Sequence, residues 1–104
     1  MSMLAPYTPV IYNVNLVAGN TEYSQALPAN VRHFSIKCRT SVDLRVAFST
    51  GYVAGSSDPF ITIPAGGSYN SPEGCTFSGS LTIYVAAASA CEAEIICWKP
   101  VGTS

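Results

Sequence analysis

The sequence predicts one all-β domain, a sandwich of two antiparallel sheets with seven or eight strands in a jelly-roll or Greek-key-like arrangement. Three observations predict it. Helical periodicity is absent along the chain. Turn-forming Pro, Gly, Ser and Asn interrupt the sequence every ~8 to 14 residues, the spacing of sandwiches and barrels. Between these breaks, β-branched and aromatic residues alternate with polar ones, the two-residue period of a half-buried strand. The length of 104 residues fits a single domain, with 1–9 as an extended N-terminal arm and 100–104 as a tail.

The first strand is expected over Ile11–Val17, ended by Ala18-Gly19-Asn20, and a short second one over Glu22–Ala26, ended by Leu27-Pro28-Ala29-Asn30. The third, Arg32–Arg39, alternates cleanly, with Phe34, Ile36 and Cys38 inward. After Thr40-Ser41-Val42 the fourth, Asp43–Ser49, places Leu44, Val46 and Phe48 inward. These two strands read as a hairpin in which Arg39 faces Asp43. A Gly/Ser-rich loop, Thr50–Asp58, precedes a fifth strand over Pro59–Ile63 with Ile61 and Ile63 inward. Pro64-Ala65-Gly66-Gly67 turns into Ser68–Ser71, and Pro72-Glu73-Gly74 turns again before Cys75–Gly79, a loop or short strand. Ser80–Ala86 buries Leu81, Ile83 and Val85. The last strand, Cys91–Trp98, buries Cys91, Ala93, Ile95 and Cys97 and stops at Lys99-Pro100.

Composition excludes several function classes. Charged residues are 11% of the chain and the net charge is −1, against about 25% charged residues in an ordinary soluble domain. No basic face is available for nucleic acid or an anionic membrane. No apolar run reaches the ~20 residues of a membrane helix. The first nine residues lack the basic and apolar blocks of an export leader. The four cysteines, Cys38, Cys75, Cys91 and Cys97, form no C-x-x-C pair, and with one histidine they do not read as a zinc site. Inward parity of three of them predicts free, buried thiols.

No catalytic constellation stands out, and no cofactor or metal is expected. His33 lies on the polar side of its strand with Ser35 and reads as a surface histidine rather than the base of a hydrolytic triad. Glu92 and Glu94 share one face of the last strand, a solvated pair rather than a glycosidase dyad or metal ligands. Pro64–Ser68 contains a Gly-Gly step but lacks the Lys and the helix of a phosphate loop.

Two features point to protein contacts. In the last strand Ile96 and Trp98 occupy outward positions after Glu92 and Glu94, and Tyr84 is outward on the preceding strand. Exposed apolar patches mark interaction sites, and Trp is enriched in interface hot spots. Lys37, Arg39 and Arg45 form an outward basic trio on the expected hairpin, suited to the rim of such a contact. Tyr52 and Val53, in the middle of the Gly/Ser loop, are a further candidate contact.

The stretch "VRHFSIKCRTSVDLRVAF", the Gly/Ser loop, "FITIPAGGSY" and the terminal "LTIYVAAASACEAEIICW" together resemble small structural proteins of tailed bacteriophages. The resemblance spans Asn30 to Trp98. It implies a non-enzymatic virion protein of the capsid decoration or cement type, made in the host cytoplasm and placed on the capsid exterior. Its implied partners are itself, as a homodimer or homotrimer, and a major capsid protein. The alternative is a small sandwich that binds carbohydrate or a host receptor from a phage tail or fibre.

Overall fold

A computed structural model describes residues 7–29, 31–55, 59–71 and 81–100. Eight strands follow in chain order: β1 (Tyr7–Leu16), β2 (Tyr23–Ala26), β3 (His33–Cys38), β4 (Leu44–Ala47), β5 (Ile61–Ile63), β6 (Ser68–Asn70), β7 (Thr82–Ala87) and β8 (Cys91–Pro100). They form two four-stranded antiparallel sheets, ordered β1-β8-β3-β6 and β2-β7-β4-β5.

The order has a simple logic. β1 pairs with β8, β2 with β7, β3 with β6 and β4 with β5. The chain is therefore one long hairpin folded back at the β4–β5 connection and rolled up, with β3–β8 and β4–β7 sealing the roll. This is the jelly roll.

Alternation buries one face of each sheet. Val14 and Leu16 of β1, Phe34 and Ile36 of β3, Ala93, Ile95 and Cys97 of β8, and Leu44, Val46, Ile83 and Val85 of the second sheet form the core between them. Phe34 is its largest fully buried side chain, with Phe48 edge-on at 6.2 Å and Tyr69 tilted at 5.8 Å between ring centroids.

Several expectations are corrected. β3 and β4 are not a hairpin: they belong to different sheets, and the chain crosses the sandwich at 39–43. Arg39 consequently meets Glu92 and Glu94, while Asp43 accepts the Ala65 N–H at 2.9 Å and caps the Pro64–Gly67 turn. Phe48 and Ile61 do lie on the inward side, Phe48 edge-on to the core ring of Phe34 and Ile61 paired with buried Val46, but they stay 45% and 41% exposed. Phe48 lies just past the end of β4 and β5 is a three-residue edge strand, so neither side chain is fully covered. β1 begins four residues earlier than expected, so Tyr7–Pro9 belong to the sheet, and β8 runs on through Lys99 and Pro100 opposite Thr8 and Tyr7. Cys75–Gly79 lies outside the described residues.

A second, smaller apolar cluster covers the outside of the β2-β7-β4-β5 sheet. Ala47 and Ala86 sit on that face, and Val53 from the following loop packs onto them, flanked by Tyr52, Phe60 and Tyr84. The alanines leave room for the loop. Glu22 anchors it, accepting hydrogen bonds from the Thr50 hydroxyl at 2.7 Å and the Gly51 N–H at 2.9 Å, where Gly51 adopts φ 98°.

Candidate protein-binding surface

With one sheet covered outside by its own loop, the outer face of the β1-β8-β3-β6 sheet is the surface on which outward side chains can be read directly. Strand register arranges them in rows. Pro9, Trp98 and His33 stand side by side; next come Ile11, Ile96, Ser35 and Asn70; then Asn13, Glu94, Lys37 and Ser68; then Asn15 and Glu92. Arg39 extends this last row, its N–H bound to the Glu92 carbonyl at 2.7 Å. The face is apolar at one end and charged at the other.

At the apolar end Ile11 is 67% and Trp98 37% exposed. They lie on neighbouring strands, and Ile96 and Pro9 complete the strip between them. Tyr7 closes the end of β1, its hydroxyl accepting from Arg32 Nη1 at 2.9 Å, with the guanidinium 5.7 Å from the ring centroid. A shallow open depression of about 520 Å³ runs from Ile11 and Ile96 to Asn70, Lys37 and Arg39.

At the charged end Arg39 bridges both acids, with Nε 2.7 Å from Glu94 Oε2 and Nη1 3.0 Å from Glu92 Oε1, and Lys37 Nζ is 3.7 Å from Glu94. The Arg39 hydrogen bond first, and the Arg39 and Lys37 charges after it, hold the Glu94 carboxyl below the usual glutamate range. The Glu94 hydrogen bond first, and the Glu92 charge after it, raise Arg39. Both carboxylates are thus hydrogen-bonded partners of one guanidinium.

The remaining candidates scatter. Arg45 lies on the opposite sheet, with Nη2 2.7 Å from Asn20 Oδ1, so the basic trio is split and only Lys37 and Arg39 flank the apolar strip. Tyr84 is on the opposite sheet too, beside Ala47, and cannot join Trp98. Tyr52 is half-buried against the second cluster, and Val53 is fully buried there, with no surface to lend a partner. Ile11 is the residue that sequence reasoning missed. Its signal was an apolar side chain at an odd position of β1, whose even positions Val10, Tyr12, Val14 and Leu16 turn inward.

His33 lies on the outer side of β3 with Ser35, as its parity predicts, and is half-buried there. Its Nδ1 is 3.0 Å from the hydroxyl of Ser71, which is buried and also accepts the Phe34 N–H at 2.9 Å. A serine oxygen held this way supports the β3–β6 edge and is not presented to a substrate. Cys38, Cys91 and Cys97 are free and buried, as expected; Cys75 lies outside the described residues. Burial first, then the hydrogen bond with Cys38, pushes the Cys91 thiol up to about 12. Among the described residues no group of three His, Cys, Asp or Glu side chains is gathered to hold a metal ion, and no helix is long and apolar enough to cross a membrane.

The chain matches no protein-family model, no curated protein and no solved structure.

Proposed function

We propose that this protein is a non-enzymatic adhesive module that binds a protein surface through the outer face of the β1-β8-β3-β6 sheet. The phage-like motifs between Asn30 and Trp98 make that surface the capsid of a tailed phage, which the protein decorates or cements by bridging major capsid subunits. One observation carries the reading: Ile11 and Trp98, with Ile96 and Pro9, form a contiguous apolar strip on a sheet face whose other end is a satisfied ion-pair cluster. Jelly rolls occur in viral capsid proteins, and equally in lectins and cupins, so the fold is compatible with the reading without selecting it.

The mechanism is mass action. A protein that binds across a subunit junction stabilises the assembled shell because it does not bind the separated subunits in the same way. Covering the exposed parts of Ile11 and Trp98 removes on the order of 200 Å² from water, about 5 kcal/mol at ~25 cal/mol per Å² before the costs of association. Lys37 and Arg39 lie in exposed ion pairs and set orientation and salt dependence more than affinity.

The test is mass spectrometry of virions of the phage that carries this gene, with Trp98→Ala and Ile11→Ser variants added back to virions lacking the protein. The chain is expected in tens to hundreds of copies, and both variants are expected to fold but to bind particles at least tenfold more weakly. Absence from purified virions overturns the reading. Undiminished binding of both folded variants overturns the surface assignment.

A further inference from the structure

The four edge strands of the two sheets differ sharply. β2, β5 and β6 have four, three and three residues, whereas β1 has ten. Edges are normally blunted by charge, proline, bulges or shortness, because a free edge templates another strand. Of these β1 carries only Pro9, two residues from its start. Its ten pairs with β8 run without a register break, and residues 7–21 contain no charged side chain.

The direction of the free backbone groups follows from the ladder. The Glu92 and Trp98 carbonyls accept from β3-side amides, those of Arg39 and Arg32. Backbone groups alternate sides along an antiparallel strand. Ala93, Ile95 and Cys97 therefore point at β1, where they meet Val14, Tyr12 and Val10. The N–H and C=O groups of Ile11, Asn13 and Asn15 point away from β8, off the edge of the sheet. Among the described residues the two most exposed large hydrophobic side chains, Ile11 at 67% and Val17 at 69%, lie on or just past this same strand.

We infer that β1 pairs with β1 of a second copy of this chain, antiparallel about a two-fold axis at Asn13. Asn13 then faces Asn13 of the other copy, and Ile11 faces Asn15 in both directions. Each of these pairs exchanges two backbone hydrogen bonds. Pro9, which has no N–H to give, falls opposite Val17, and two exposed apolar groups cover each other. Such an isologous contact closes at two copies. It fuses the outer faces into one eight-stranded surface and places both Ile11–Trp98 strips on the same side. The proposal deepens the adhesive reading by doubling its contact face, but it uses the strand edge rather than the sheet face, so the two fail separately.

The experiment combines sedimentation equilibrium with residue-resolved amide exchange on the intact chain. At about 100 µM, where even a 10 µM contact is well populated, the mass is expected to be twice 10.9 kDa. The Ile11, Asn13 and Asn15 amides are expected to gain protection with concentration, while Tyr12 and Val14 stay unchanged. Asn13→Pro, which removes one outward N–H and no β1–β8 bond, is expected to be a folded monomer, and Trp98→Ala a dimer. A wild-type monomer or trimer at that concentration overturns the proposal. So does a dimer whose Ile11, Asn13 and Asn15 amides exchange freely. Should Asn13→Pro fail to fold, the wild-type exchange pattern decides alone.

Discussion

Arg39 Nε lies 2.7 Å from Glu94 Oε2, across the pairing of β3 with β8. The chain reverses at 39–43 to enter the other sheet, so this contact ties the crossover to the last strand. The sign of its pH dependence follows from Glu94, whose pKa in the folded protein is lowered chiefly by the Arg39 hydrogen bond. Its contribution is fully present above the pKa of an unfolded glutamate and is lost as pH falls through the lower, folded value. NMR titration is expected to place the Glu94 midpoint below that of an ordinary glutamate, and Arg39→Ala to raise it. Because the pair is exposed and screened, the stability change is small and shrinks further in high salt.

The buried thiols act in the opposite pH range. Cys91 ionises at about 12 in the folded chain and at ~8.5 when unfolded. A pKa raised by folding stabilises at pH values below the unfolded one and loses that contribution as pH climbs through the folded one. Urea midpoints are expected to fall progressively between roughly pH 8.5 and 12. Cys38, Cys91 and Cys97 are expected to be inert to thiol reagents in native protein at pH 8 and to react once it is denatured.

Ser71→Ala tests the buried serine. The Ser71 hydroxyl accepts the Phe34 N–H, and the Ser71 N–H donates to the Phe34 carbonyl at 2.9 Å. Removing the hydroxyl deletes this buried hydrogen bond, a loss of about 1 kcal/mol in urea unfolding. His33→Ala removes the outer member of this chain and leaves the Phe34 N–H satisfied, so its cost is expected to be smaller.

The turn after β1 offers a paired test. Asn20 adopts φ 52°, donates its N–H to the Ala87 carbonyl at 2.6 Å and accepts from Arg45. Asn20→Ala loses the link to Arg45 in a backbone conformation that alanine tolerates poorly, about 1–2 kcal/mol. Asn20→Gly keeps the backbone and isolates the side-chain link. At the neighbouring position, Gly19→Ala would drive a Cβ into the Ala88 carbonyl oxygen, and the clash is with backbone, so it is expected to exceed either Asn20 substitution in a thermal-melt comparison.

Alternation along single strands is enough to determine an all-β sandwich, the inward sets on β3, β7 and β8, the buried cysteines, and outward Ile96 and Trp98. Those are local properties, decided by which side of a pleat each residue occupies. Tertiary structure alone decided which strands pair. An Arg39–Asp43 hairpin is the reasonable local reading of Thr40-Ser41-Val42, but rolling the chain sends β3 and β4 to different sheets and gives Arg39 to the acids of β8, more than 50 residues away. The same roll separates Arg45 and Tyr84 from Trp98 and brings Ile11 beside Ile96. The fate of Val53 was equally hidden, because parity describes a sheet's two faces and not a loop that folds over one of them. Its only trace in the sequence is the small side chains Ala47 and Ala86, which leave that face shallow enough to be covered.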